Sequence, residues 1–108
     1  MKRIRIETAD KTYLAKPLTL GQLEENEDAI NGIVKESEEV ATRGGGRLPV
    51  KMLRSQARIV LLALQNHDKT VTADVTNDFS VPEIALSFAA VISGSGLVEV
   101  SEGEAQAG

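Results

Sequence analysis

The chain contains 108 residues, carries a formal net charge of −4 at pH 7 and has no cysteine. This length suits one domain with a modest core, and the missing cysteine excludes both a disulfide framework and a thiolate nucleophile. Hydrophobic residues make up 42% of the chain but aromatic residues only 3%, so the core must be built from aliphatic side chains.

We expect neither a signal peptide nor a membrane span in this chain. The N-terminal MKRIRIETADK lacks the apolar segment of a secretory signal. No apolar run approaches the ~20 residues that cross a bilayer. We therefore expect a cytoplasmic protein that makes no membrane contact, with a secreted protein as the alternative.

Residues 2–17 carry the alternating pattern of β-strands. Ile4 and Ile6 share one face, whereas Arg5 and Glu7 share the other. A second extended run follows, so the segment predicts a β-hairpin. Because an isolated hairpin is only marginally stable, it must pack on other elements.

Residues 20–42 are predicted to form one amphipathic helix. Thr19 and Gln22 have the spacing of a capping box, which marks its start. Acidic residues occupy one side of this helix: Glu24, Glu25, Asp28, Glu36 and Glu39. We interpret the acidic side as solvated, with a docking surface for a basic partner as the alternative.

A second helix is predicted over about residues 49–66. Consecutive glycines end the helix before it, and Pro49 suits the first turn. Basic residues recur along it at steps of four, three and four positions: Arg47, Lys51, Arg54 and Arg58. Three interpretations of this stripe remain open, namely neutralisation of the acidic helix, contact with a protein partner, or contact with nucleic-acid phosphates. The acidic total charge and the lack of nearby aromatic residues argue against nucleic acid. We favour neutralisation, since the acidic and basic helices could pair antiparallel across the glycine loop.

Two further helices complete the pattern, a short one over residues 73–79 and a longer one over about residues 81–93. Ser80 and Glu83 form the capping box of the longer helix. The predicted fold is therefore α+β and mainly helical, with the N-terminal hairpin packed on a bundle of three or four helices. We assign residues 1–98 to this single domain and residues 99–108 to a disordered acidic tail.

The last helix has almost no polar face, since only Glu83 and Ser87 interrupt its apolar run. Burying one large apolar side chain contributes about 1.5–3 kcal/mol, so exposing this helix would be costly. Two solutions remain open. The helix is either buried within its own fold or covered by another chain, through self-association or around a partner's apolar helix.

Catalytic chemistry is sparse in this sequence. His67 is the single histidine, lies at a predicted helix end, and has no second histidine or cysteine to complete a zinc site. We interpret it as a helix-end or solvated residue, with a general base as the alternative. We expect a non-enzymatic protein without cofactor or metal.

The order of these elements resembles the tail assembly chaperones of long-tailed bacteriophages and prophages. The resemblance covers most of residues 1–98 and is carried by KPLTLGQLEENEDAI, RSQARIVLLALQN, KTVTADVTNDFS and the helix-ending ISGSGL. It implies a protein of the bacterial host cytoplasm that coats the aggregation-prone tape-measure protein and helps to recruit tail-tube subunits. The family offers no catalytic residues.

We predict that the partner-binding surface is formed by two sets of residues, apolar ones of the last helix and basic ones beside them: Leu86, Phe88, Val91, Ile92, Arg54 and Arg58. The apolar helix also leaves self-association into a homo-oligomer open. The alternative function is a small DNA-binding regulator that uses the basic helix from Arg47 to Arg58.

Overall fold

The computed structural model describes residues 3–46 and 49–96. Its elements in chain order are β1 (Ile4–Glu7), β2 (Thr12–Ala15), α1 (Leu20–Glu25), α2 (Glu27–Thr42), α3 (Val50–His67), α4 (Ala73–Asn77) and α5 (Val81–Gly94). The predicted α+β, mainly helical fold with an N-terminal hairpin is confirmed.

The two strands form an antiparallel hairpin in which Ile4 lies opposite Ala15 and Ile6 opposite Tyr13. Ile4, Ile6 and Ala15 are buried, whereas Arg5 on the other face is exposed. The alternating pattern therefore turns one apolar face of the hairpin toward the helices.

α3 is the central helix of the fold. Its buried residues Ile59, Val60, Ala63 and Leu64 belong to the same core cluster as the inner face of the hairpin. The carbonyl of Ala63 also accepts a hydrogen bond from the backbone N–H of Lys16 at 3.1 Å. This bond fixes the end of β2 against the helix.

The single helix predicted for residues 20–42 is wrong, because the structure divides it at Asn26. Asn26 has φ −113° and ψ 14°, outside the α-helical region. Its side-chain Nδ2 donates to the carbonyl of Gln22 at 2.8 Å. An Asn side chain that bonds the preceding turn competes with the helical backbone, and α1 and α2 are separate for this reason.

The other predicted helices agree with the structure within one or two residues at each end. Both predicted capping boxes, at Thr19 and at Ser80, are present. α4 ends at Asn77 instead of residue 79, and Pro49 precedes α3 as its cap. The predicted disordered tail, residues 99–108, lies outside the described residues.

α5 is fastened to the hairpin at both ends. At its N-terminal end the Glu83 carboxylate accepts a hydrogen bond from the Ala9 backbone N–H in the hairpin turn, at 2.7 Å. At its C-terminal end Gly94 approaches the side chain of Ile4 so closely that a Cβ placed on the glycine would lie 2.5 Å from Ile4 Cγ1. α5 therefore runs antiparallel to β1 along the inner face of the hairpin.

Substitution of Gly94 by alanine is expected to destabilise the fold by about 1–3 kcal/mol, because the new methyl group would overlap a buried, β-branched side chain. Gly32→Ala is the matched control, since the nearest atom to a Cβ there is Met52 Cε at 3.9 Å. That change should stabilise α2 by roughly 0.5–1 kcal/mol. Urea unfolding of the two variants tests both expectations, and equal effects would contradict the proposed close approach.

Acidification is expected to weaken the hydrogen bond by which Glu83 of α5 holds the Ala9 backbone N–H of the hairpin turn. The backbone N–H of Ser80, followed by that of Ala9, donates to Glu83 and lowers the pKa of this carboxyl from its usual 4.5. A carboxyl whose pKa is lower in the folded state contributes stability above its unfolded pKa and loses it as pH falls through the folded pKa. The free energy of unfolding of Glu83→Gln should therefore be lower at neutral pH and less sensitive to acid below pH 4.5 than that of the wild type.

Asp68→Asn provides the comparison for this measurement. Hydrogen bonds from the Thr70 hydroxyl and backbone N–H lower the pKa of Asp68 as well, but Asp68 lies in the turn after α3. Its variant should also lose acid sensitivity while preserving the hydrogen-exchange protection of the Ala9 amide. Equal hydrogen-exchange rates of the Ala9 amide in the Glu83→Gln and Asp68→Asn proteins would argue against a stabilising hydrogen bond from Ala9 to Glu83.

Candidate partner-binding groove

The apolar side of α5 is covered mainly by the protein's own fold. Ile84, Phe88 and Val91 are buried, with exposed fractions of 6%, 7% and 0%. Ile92 is half-buried and packs against the same core cluster. Phe88 and Val91, which we predicted as partner-binding residues, are therefore core residues of this monomer, since α3 and the hairpin already occupy the space around them.

The outward side of α5 is apolar but composed largely of small residues. Ala85 and Ala89 are exposed there together with Leu86, which is 70% exposed. An exposed alanine adds little apolar area, so a helix without a polar face is tolerated at low cost. Leu86 is the exception and is the residue of the predicted apolar set that remains on the surface.

An apolar groove of about 200 Å³ lies between the N-terminal half of α3, α4 and the start of α5. Its lining is Val50, Leu53, Arg54, Ala57, Thr76, Asn77, Phe79, Val81 and Ile84. Val50 is 75% exposed and Val81 53% exposed, so the two side chains flank the groove with apolar surface that the fold does not cover. We call this feature the α3–α5 groove.

Arg54 stands at the rim of the α3–α5 groove. Its guanidinium Nη1 donates to Oδ1 of Asn77 at 2.6 Å, which links α3 to α4 across the rim. Lys51 and Arg58 are exposed about one turn before and after it on the same helix. A basic flank on α3 therefore borders an apolar depression.

The expected neutralisation of the basic stripe by the acidic helix is not found among the described residues. The ion pair that lies within 4.0 Å in this part of the chain joins Arg5 to Glu7 within β1. Arg47, the first member of the predicted stripe, lies outside the described residues. The three described members face solvent, and their positive charge is available to a partner.

The six residues predicted to bind a partner are thus divided among three environments. Arg54 and Arg58 lie on the groove flank, and Leu86 lies beside β1 in a separate shallow groove that includes Arg5 and Glu7. The remaining three pack in or against the core. Sequence reasoning missed Val50, Val81 and Asn77 as surface residues of one groove, because only the packing of α4 brings them together.

The described residues offer little to bind a metal. Among residues 3–46 and 49–96 no group of three or more His, Cys, Asp or Glu side chains could hold a metal ion. His67 is the last residue of α3 and is half-buried, at a helix end that favours positive charge. The distinguishing feature of this region is instead the apolar α3–α5 groove with basic residues along one side.

A second depression carries the opposite charge. It lies on α1 and α2 and is lined by Leu20, Leu23, Glu24, Glu27, Ile30 and Asn31. Leu20 is 73% exposed, and the carboxylates of Glu24 and Glu27 border it. Of the residues on the predicted acidic side, Glu24 lines this depression, and Glu25, Asp28 and Glu39 are exposed elsewhere on α1 and α2.

None of the helices in the described part of the chain combines the length and apolarity needed to cross a bilayer. Comparison of the chain with protein-family models, with curated proteins and with solved structures found no match.

Proposed function

We propose that this protein is a non-enzymatic protein-binding module that covers an apolar helical segment of a partner. The observation that carries the proposal is the α3–α5 groove, an apolar depression flanked by the exposed Val50 and Val81. Apolar grooves of this kind receive the apolar face of an amphipathic helix. Burying two valine side chains would contribute several kcal/mol before the costs of association are subtracted.

The basic flank supports a further specification of the partner. Lys51, Arg54 and Arg58 border one side of the groove, so a bound helix with acidic residues on the matching side would be oriented and recruited more quickly. The proposed ligand is therefore an amphipathic helix with an apolar stripe and carboxylates along one edge of it.

The sequence resemblance supports a more specific role. We propose that the protein is a tail assembly chaperone of a long-tailed bacteriophage or prophage, acting in the host cytoplasm. Its partner would be the long helical tape-measure protein, whose apolar stripes require cover before tail-tube subunits assemble around it. The α3–α5 groove is the surface that would contact those stripes.

Aspartate substitutions in the groove test this function. Val50→Asp and Val81→Asp should each weaken binding to the tape-measure protein of the same phage or prophage by at least about tenfold, because a charge replaces buried apolar surface. Val34→Asp is the matched control, since Val34 is 40% exposed on α2 and does not line the groove. Titration calorimetry and co-purification after co-expression measure the effect, and equal affinities for all three variants would refute the groove assignment.

Salt dependence separates this function from the alternative of DNA binding by the same basic residues. If three cations neutralise phosphates, the logarithm of the association constant for duplex DNA should fall with the logarithm of salt with a slope of about −2.7. We expect weak duplex binding at physiological salt. Partner binding should change much less with salt over the same range, because apolar burial rather than charge supplies most of its free energy. Tight duplex binding that is lost in the Arg54→Ala and Arg58→Ala proteins would favour the regulator instead.

A further inference from the structure

The outer edge of β1 presents unpaired backbone groups. The Thr8 backbone N–H donates to the Lys11 carbonyl at 2.9 Å, so the pair flanking the hairpin turn is a hydrogen-bonded one. Bonded and non-bonded pairs alternate along an antiparallel ladder. Ile6 and Ile4 therefore form the hydrogen-bonded pairs with β2. The N–H and C=O groups of Arg5 and Glu7 point away from β2.

Nothing in the described part of the chain covers these groups. Over residues 3–46 and 49–96 the sheet has two strands, and the backbone hydrogen bonds made outside regular elements there include none to Arg5 or Glu7. The side chains of both residues are largely exposed. A short strand with a free edge is a template for pairing with another strand.

Apolar surface lies directly beside this edge. A shallow groove between β1 and α5 is lined by Arg5, Ile6, Glu7, Leu86, Ser87 and Ala90. Leu86 is 70% exposed there, and the Oγ of Ser87 is buried without a hydrogen-bond partner among the described residues. A strand added to β1 would cover Leu86, which the described residues 3–46 and 49–96 leave exposed.

We propose that β1 pairs antiparallel with β1 of a second copy of this chain, about a two-fold axis at Ile6. In this register Arg5 of each copy lies opposite Glu7 of the other. Both members of each pair have outward backbone groups, so the two pairs supply four backbone hydrogen bonds. The hairpins join into one four-stranded sheet.

Charge selects this register among its neighbours. A shift by two residues in one direction places Glu7 opposite Glu7, and a shift in the other direction places Arg5 opposite Arg5 between two pairs of Arg3 with Glu7. Like charges directly opposite each other destabilise a sheet. A shift by one residue would place residues whose backbone groups point away from β2 opposite residues whose backbone groups already pair with β2, so hydrogen bonds between the copies could not form. Among these registers, the one about Ile6 contains two opposite-charge pairs and no like-charge pair.

The free edge of β2 is a poorer site for the same contact. Its outward groups belong to Thr12 and Leu14, which offer no charge pair to select a register. Beyond Ala15, Lys16 already donates its N–H to α3. The contact proposed at β1 is also distinct from the α3–α5 groove, so either surface can function without the other.

Charge reversal tests the proposal in the full chain. Sedimentation equilibrium should show a concentration-dependent dimer for the wild type, and Arg5→Glu or Glu7→Arg alone should raise its dissociation constant by at least about tenfold. An equimolar mixture of the two variants should dimerise again, since the two acidic side chains on β1 of one variant then face the two basic side chains on β1 of the other. Lys16→Glu, with the same charge change directly after β2, should dimerise like the wild type.

The mixture distinguishes contact between copies from effects within one strand. Each variant has lost the Arg5–Glu7 ion pair within its own β1, whether alone or mixed, so dimers that form only in the mixture must depend on contact between the copies. A wild type that remains monomeric up to about 1 mM would overturn the proposal. Dimers unaffected by either reversal would overturn it too, and would point to another surface.

Cysteine cross-linking tests the register, since the native chain has no cysteine. Cα atoms of a directly opposed bonded pair lie about 5.5 Å apart, within the range that a disulfide spans. Mixed Arg5→Cys and Glu7→Cys proteins should therefore form a disulfide dimer under mild oxidation, whereas Arg5→Cys by itself should form little. Preferential linkage between two copies of the Arg5→Cys protein would refute this register.

Discussion

Packing of α5 against α3 and the hairpin is the interaction on which the rest of the structure depends. Phe88 and Val91 of α5 belong to the same buried cluster as Ile59 of α3 and Ile4 and Ile6 of β1. Each buried side chain of this size contributes about 1.5–3 kcal/mol. The hairpin, marginal without support, and α5, too apolar to stand in water, each supply the cover that the other requires.

The same packing creates the two surfaces to which we assign function. α4 has five residues, and it leaves Val50 and Val81 partly uncovered where α3 and α5 begin. Within the described residues the sheet has two strands, so β1 has an edge beside Leu86 that no described strand pairs with. Both surfaces arise where a short element ends before the apolar area of its neighbours is fully covered.

The separation of acidic and basic residues can orient a partner on these surfaces but adds little to the free energy of folding. The acidic side of α2 and the basic flank of α3 form no ion pair within 4.0 Å among the described residues. Exposed pairs of this kind contribute only about 0–1 kcal/mol, so little is lost when they stay apart. Separated charges can instead steer a partner toward the apolar area between or beside them.

Local pattern was sufficient to predict the hairpin, the two capping boxes and the helices that became α3 and α5. These features depend on strand and helix periodicity and on side chains three residues apart, such as Ser80 and Glu83. The break at Asn26 was not predictable from apolar spacing, because it arises when one amide side chain bonds the preceding turn.

Sequence by itself therefore determined the elements, except for the break at Asn26, and the charge that each segment carries. Tertiary structure decided which apolar residues stay on the surface, because burial depends on neighbours that are distant along the chain. Phe88 and Leu86 are two positions apart in one apolar run, yet α3 and the hairpin enclose Phe88 and leave Leu86 exposed. Helical geometry points the two side chains to different sides, and only the packed neighbours determine which side is covered.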